Sequence, residues 1–464
     1  MKPNILWSCT DQQRRDSLGC YGSSFMRTPN IDRLAESGVT FDRCYCQAPS
    51  CTPSRSSFLT GRYASTVHCE HNDDLIIPAS ERLLSKVLSE NGYVCGLAGK
   101  LHLAAVHPNY YPNGERRIDD GFGVFNWSHD PYDKWPTNQY QLWLAGQGIK
   151  NQQEQIPDVP GQIYYGMPEE YHQSKWCTDR ALEFIRKCHD HETPFFFCCD
   201  VYDPHPPFDP PKTCYDRMME RFDEIPDCRY TEGELDNKPH CQKEKNLAKR
   251  YDFNAMDETQ RKKVKAAYYA QVENIDTHIG RILDLLDELG ERENTLIIYS
   301  ADHGEMLGDH GMFTKGSFYY DELTRIPLIM SWPGHLPAGK RYESLAEMVD
   351  IFPTICEIIG IEAGPRVQGK SMWPYLPEGK EMEKESVLCQ STGHASMLRT
   401  EDWKVVVFRK GNEGELYDMK NDPGEVHNLF YDEKFATVKA DMLTKLMERE
   451  LSVVEPGSKF HPGY

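Results

Sequence analysis

Four short apolar runs, each ending in a cluster of polar residues, constrain this chain more than any other feature. NILWSCT (4–10) runs into Asp11 and Gln12, and YVCGLAG (93–99) runs into Lys100 and His102. PFFFCCDVY (194–202) runs into Asp203 and His205, and TLIIYSA (295–301) into Asp302, His303 and Glu305. Runs of this length with little alternation belong to strands covered on both faces, which predicts an α/β fold with a large, mostly parallel sheet flanked by helices. RLLSKVLSENG (82–92) and the segment from Lys263 to Gly290 supply helical patterns closed by glycine. Ligands of open α/β sheets bind beyond the carboxyl ends of the strands. Four strand ends carrying Asp, Lys and His therefore converge on one site, although they are far apart in sequence.

At 464 residues the chain exceeds one small core. The expected division is a catalytic domain over residues 1–365 and a smaller α+β subdomain over 366–464. In the latter, VLCQSTGHASMLRTEDWKVVVFRKGNEGELYD reads as strands of an antiparallel sheet joined by short turns, with a helix near 433–450. Residues 125–175 and 206–260, rich in Pro, Tyr, Trp, Asn and charge, read as long excursions over the sheet edge, either pocket walls or surface decoration. Their Trp127, Trp135 and Trp143, with Trp176 just beyond, suit stacking on sugar rings and plain core packing equally.

A formal charge of −20 disfavours nucleic-acid binding, which needs phosphates neutralised by Lys and Arg. Any anion site must then be a local pocket of positive groups. No run of about 18 apolar residues exists, so no membrane span is expected. A strand starting at Asn4 leaves no room for a signal peptide, which points to a cytoplasmic protein whose sixteen cysteines are reduced thiols.

One of those cysteines stands apart. In QAPSCTPSRSSFLTGRY (47–63), Cys51 occupies a Ser/Pro-rich turn with little local apolar cover. Pro53 suits the first turn of a helix, which places Cys51 at a helix N-terminus, where free N–H groups favour an anion. Arg55 adds a positive charge, and such surroundings lower a thiol's pKa. Cys51 is thus a candidate nucleophile, or else a chance loop cysteine. Asp11 and Asp302, beside Gln12 and His303, suit a hard divalent cation, although each Asp alone suits a cap. HCEH (68–71) offers two histidines for zinc but reads more simply as a pocket wall or surface turn. Cys198 and Cys199 read as core packing, and Cys44 and Cys46 lack a partner pair at zinc-finger spacing.

The C-T-P-S-R segment resembles the C-x-P-x-R signature of the type I sulfatases of the alkaline phosphatase superfamily, and SSFLTGR after it matches that family's continuation. The resemblance extends to TPNIDRLAESGVTFDRCY (28–45) and ELYDMKNDPGEVHNL (415–429). It implies that Cys51 is oxidised by a separate maturation enzyme to formylglycine, whose hydrate attacks sulfur through one hydroxyl and expels sulfate when the second collapses. Asp11, Gln12, Asp302, His303 and residue 51 would hold one divalent metal, Ca²⁺ first with Mg²⁺ or Mn²⁺ open. Gln12 stands where many members carry a second Asp.

Lys100 and His102 in GKLH match the family's G-K-x-H element, His205 matches P-H-x-P-F, and Lys315 matches a lysine downstream of D-H-G-E. Lys100, His205 and Lys315 would cradle the sulfate. His205 or Lys315 would protonate the leaving oxygen, Arg55 would add charge, and His102 would take a proton from the second hydroxyl. His394 and Arg399 would reach the substrate from the C-terminal subdomain. The implied activity is hydrolysis of a sulfate monoester, with a sulfated sugar as first choice over choline or aryl sulfates. A phosphonate monoester or phosphodiester hydrolase of similar fold is the runner-up. Outside enzymes, a metal or anion binder with unmodified Cys51 stays open.

Overall fold

The computed structural model describes residues 2–69, 71–72, 76–246, 251–316, 318–391, 394–409 and 413–454. Its strands in chain order are β1 (Asn4–Thr10), β2 (Val39–Tyr45), β3 (Val94–Gly99), β4 (Val124–Trp127), β5 (Glu154–Gln155), β6 (Tyr164–Tyr165), β7 (Phe195–Val201) and β8 (Thr295–Ala301). They continue with β9 (Arg325–Ile326), β10 (Leu328–Ser331), β11 (Lys340–Glu347), β12 (Val387–Ser391), β13 (Ala395–Arg399), β14 (Trp403–Phe408) and β15 (Gly414–Asp418).

Among the described residues, nine of these strands form one mixed sheet in the order β11-β2-β10-β8-β1-β7-β3-β4, with β9 paired to β2. The run β8-β1-β7-β3-β4 is parallel throughout. β10 runs antiparallel to both its neighbours.

The apolar runs end up inside because each faces two cores. Ile5, Trp7 and Cys9 of β1, Phe196 and Cys198 of β7, and Leu296 and Ile298 of β8 enter one cluster. The alternate residues Leu6, Phe195, Phe197, Cys199, Ile297 and Tyr299 enter the other. Helices Leu84–Glu90 and Ile351–Ile358 cover the first face, and Gln173–Asp190 and Glu258–Glu288 cover the second. The last of these starts five residues before the apolar periodicity, because Asp257 and Gln260 form a reciprocal capping box. Cys51 and the strand cysteines Cys9, Cys44, Cys198 and Cys199 are free thiols. No described helix is long and apolar enough to cross a membrane.

β12–β15 form a separate antiparallel sheet in sequential order. Met442, Leu446 and Val453 of the helix Ala436–Val453 pack on Leu388, Leu398, Val405 and Leu416 from its strands. A buried lysine fastens this sheet to the rest. Lys404 Nζ donates to Asp321 Oδ1 at 2.6 Å and to the Tyr319 carbonyl at 3.1 Å, and lies 2.8 Å from Glu425 Oε1.

Candidate active site

Because β1, β3, β7 and β8 are parallel neighbours, their carboxyl ends open on one edge of the sheet. Asp11, Lys100 and Asp302 are the first residues past three of them, and Asp200 sits one residue before the end of the fourth. The ladder continues just beyond the strands: Asp302 N donates to the Thr10 carbonyl at 3.1 Å and Lys100 N to the Asp200 carbonyl at 2.9 Å. Asp11, Lys100, Asp200 and Asp302 are therefore set by sheet register rather than by free loops.

Cys51 opens the helix Cys51–Thr60 and points its thiol into this convergence. Its Sγ lies 2.7 Å from Lys315 Nζ, 3.3 Å from His303 Nε2, 3.6 Å from Lys100 Nζ and 3.6 Å from Asp11 Oδ1. The sparse local apolar cover suggests an open turn, but the thiol is fully buried. Charged groups from distant segments cover it, which the local sequence cannot show. Burial and Asp11 push its pKa up, but Lys100, Lys315 and His303 outweigh them, and it titrates below the ordinary thiol range.

Arg55, one helical turn on and wholly buried, binds the carboxylates together. Its Nε donates to Asp302 Oδ2 at 2.9 Å, and its Nη1 to the Lys100 carbonyl at 2.8 Å and Asp200 Oδ2 at 3.4 Å. Its Nη2 lies 3.7 Å from Asp11 Oδ2. Lys100 is paired with the same Asp11 oxygen. Burial drives Asp200 up to about 7, against the lowering effect of Arg55. Asp11 is driven the other way: burial opposes its ionisation, but Lys100, His205, Lys315 and Arg55 hold it well below the usual carboxylate range.

Asp11, Cys51, Asp302 and His303 bring one ligand atom each within 4.8 Å of one another, all buried. Asp302 is oriented by backbone donors, Gln12 N and His303 N, each 2.9 Å from Oδ1. His303 Nδ1–H donates to the Gly304 carbonyl at 2.9 Å, which leaves the Nε2 lone pair facing the cluster. Gln12 adopts a left-handed backbone (φ 66°), and its amide nitrogen bonds Glu305. Its Oε1 is buried without a partner among the described residues. Two carboxylates, an orphaned amide oxygen and an oriented imidazole make a donor set that fits a divalent cation.

A cavity of about 990 Å³ opens above the thiol. Lys100, His102, His205 and Lys315 all line it. His205 donates Nδ1–H to the Pro206 carbonyl at 2.6 Å, leaving Nε2 for a ligand. Burial and then Lys315 hold His205 neutral, and burial and then Lys100 do the same for His102.

His394 and Arg399 are not among the residues lining the cavity. Arg399 is buried on β13, where its charge favours ionisation of Asp321, and the His394 ring sits 5.1 Å from His71. Part of HCEH is described: His68 is exposed, Cys69 is buried and Glu70 lies outside the described residues. Asn72 just beyond lines the cavity, and its side chain accepts from Thr52 N at 3.0 Å.

Both excursions contribute to the walls, through Tyr132, Trp135 and Gln153 on one side and Pro206, Pro207 and Tyr251 on the other. Trp127, Trp143 and Trp176 do not line the cavity: Trp127 packs behind Trp135, and the other two pack around Tyr140. Sequence reasoning missed His129 and Asp130, which follow the short strand β4. It also missed Asp200, whose one signal is a carboxylate inside the otherwise apolar run FFFCCDV.

The sulfatase family model matches residues 3–361, and a model of the N-sulphoglucosamine sulphohydrolase C-terminal region matches residues 308–452. The chain is 30% identical over 478 residues to the arylsulfatase of Clostridium perfringens, covering 98% of this chain and 96% of that protein. It is 26% identical over 522 residues to the N-acetylglucosamine-6-O-sulfatase of Bacteroides thetaiotaomicron, covering 97% and 86%. It superposes on the phosphonate monoester hydrolase of Agrobacterium radiobacter with a TM-score of 0.83 and 26% identity, covering 98% and 96% of the two chains. The signature around Cys51, the strand-end cluster and these matches agree: the chain belongs to the sulfatase family of alkaline phosphatase-like fold and is a sulfuric ester hydrolase.

Proposed function

We propose that the protein hydrolyses the sulfate monoester of a carbohydrate, using a formylglycine made from Cys51 and one divalent cation held by Asp11, Gln12, Asp302, His303 and residue 51. The observation that carries this reading is the thiol of Cys51, buried at a helix N-terminus within 3.6 Å of Lys315, His303, Lys100 and Asp11 on the cavity floor. Formylglycine supplies a hydrated aldehyde with one hydroxyl to attack and a second to release sulfate, and the cation supplies charge beside it. The oxygen-rich donor set favours Ca²⁺, with Mg²⁺ or Mn²⁺ as alternatives.

The chain's own groups do the rest. Lys100 and Lys315 flank residue 51 and offset charge on the sulfuryl oxygens, while Arg55 fixes the carboxylates beneath. The Lys315 ammonium delivers a proton to the departing alkoxide, since neutral His205 carries its one proton on Nδ1 and has none to give from Nε2. Neutral His102 accepts the proton whose loss lets sulfate leave. The likeness to the N-acetylglucosamine-6-O-sulfatase of Bacteroides thetaiotaomicron supports a sulfated sugar.

The test combines peptide mass spectrometry around residue 51, in protein matured in a host with the oxidising enzyme, with sulfate release from a panel of sulfated sugars. Cys51→Ala is expected to abolish release without changing the circular dichroism spectrum; wild-type rates in that variant reject the mechanism. The likeness to the phosphonate monoester hydrolase supports a second reading, cleavage of phosphonate monoesters. Rates on 4-nitrophenyl sulfate against 4-nitrophenyl phenylphosphonate separate the two.

A further inference from the structure

One corner of the cavity carries two polar groups, on His129 and Trp135, that ester cleavage at residue 51 does not use, beside His102, which it does. Ser128 N, just past β4, donates to the Gly99 carbonyl at the end of β3 at 2.9 Å, so the segments beyond the two strands run side by side. This brings the His129 ring to 4.4 Å from His102 and 5.6 Å from Trp135, edge-on in both cases. All three residues line the cavity.

His102 Nδ1, His129 Nδ1 and Trp135 Nε1 are buried with no hydrogen-bond partner among the described residues. Trp135 is only 2% exposed and His102 4%. Nearby tryptophans do not share this condition: Trp127 Nε1 donates to Glu115 at 3.0 Å and Trp7 Nε1 to Ser300 at 2.9 Å. Leaving a buried N–H unpaired is costly, so three orphaned nitrogens in one corner mark a place that a ligand completes.

The ligand's chemistry follows from what surrounds it. Lys134 lies over the Tyr132 and Trp135 faces, 5.0 and 5.8 Å from their centroids, but its charge is paired with Asp130 at 2.6 Å. The corner therefore offers aromatic faces and neutral polar atoms. An indole N–H can only donate, and a neutral imidazole nitrogen either donates or accepts. A hydroxyl serves both, because it accepts from one and donates to the other.

We propose that Trp135 and His129 form a binding subsite for a neutral, hydroxyl-bearing ring in the alcohol part of the substrate. The Trp135 N–H donates to a ring hydroxyl, and His129 Nδ1 takes that hydroxyl's proton side. This rests on the sulfatase reading above and narrows its substrate to a sugar held by hydroxyl contacts.

The experiment measures kcat/KM for N-acetylglucosamine 6-sulfate and for 4-nitrophenyl sulfate, which lacks such hydroxyls, in wild type, Trp135→Phe and His129→Phe. Each variant is expected to lower the sugar-to-aryl ratio by about tenfold or more, since a site built for a hydroxyl discriminates strongly through it. A ratio that stays within about twofold in both variants overturns the subsite. Calorimetric titration with unsulfated N-acetylglucosamine provides a readout independent of turnover: both variants should bind it more weakly, and equal binding overturns the proposal. His129→Phe decides the matter alone if Trp135→Phe does not fold. Wild type that cleaves the aryl ester but neither cleaves nor binds the sugar removes the subsite and keeps the reaction. Wild type that cleaves neither ester removes the sulfatase reading, and the titration then still decides the subsite.

Discussion

Arg55→Met isolates what holds the reactive cluster together. Methionine keeps much of the stem's volume and deletes the fork that serves Asp302 at 2.9 Å, the Lys100 carbonyl at 2.8 Å and Asp200 at 3.4 Å. Lys100 still pairs with Asp11, so the loss falls on Asp302 and Asp200. Removing one partner from a buried ion pair costs about 3–5 kcal/mol, because the other charge stays buried. Asp200, already titrating at about 7, escapes by taking a proton, which places the expected cost at the low end. Unfolding entropy of about 2.1 cal/mol/K per residue near the transition, taken over 464 residues, makes 1 kcal/mol worth about 1 °C of Tm. The variant should therefore melt about 3–4 °C below wild type in scanning calorimetry at one fixed scan rate with chelator present. Adding Ca²⁺, whose charge Asp302 and Asp11 would share, should narrow the gap. A variant melting within about 1 °C of wild type under chelator would refute the idea that Arg55 neutralises these carboxylates.

Chelation should abolish turnover, and re-addition of Ca²⁺, Mg²⁺ or Mn²⁺ should restore it in an order that identifies the working ion; full activity after exhaustive chelation would remove the metal from the scheme. Asp200→Asn should alter the pH dependence of stability. The folded pKa of Asp200 lies above its unfolded value, so its contribution is full below about pH 4 and is lost as pH rises through about 7. Wild type should lose about 2–3 kcal/mol relative to the Asn variant between about pH 5 and pH 8 in chelator-containing urea melts, and parallel curves would contradict this. Lys404→Met leaves buried Glu425 without its cation, while half-buried Asp321 keeps Arg325 at 3.5 Å, and should cost about 3 kcal/mol; limited proteolysis should then cut between β12 and β15 faster than in wild type.

The reactive core was legible because its strands carry uninterrupted apolar runs, and each run stops at a polar residue that the sheet must place on one edge. Asp11, Lys100, His205 and Asp302 could be located from that pattern with no knowledge of which chain segments touch. β4 could not: VFNW is four residues long and mostly part-exposed, with no run to betray it. Its neighbours His129 and Asp130 therefore read as part of an excursion. Cys51 was legible from its chemistry but its burial was not, since the groups that cover it come from residues 11, 100, 303 and 315. His394 and Arg399 do not line the cavity, for a related reason. Where a sheet leans depends on long-range contacts such as Lys404 with Asp321, and no local pattern encodes them.

The split between ladder-held groups and excursion-held walls has a practical corollary. Bonds such as Asp302 N to Thr10 O and Lys100 N to Asp200 O tie Asp302 and Lys100 to backbone that cannot shift without breaking the sheet. Beyond Ser128, which still bonds the end of β3, the wall residues Tyr132, Trp135 and Gln153 lie on chain that joins no strand of that sheet. Grafting another relative's 128–170 segment onto this scaffold should thus exchange the preferred alcohol while leaving the bond-breaking step tuned as before, making this region the natural target for redesign.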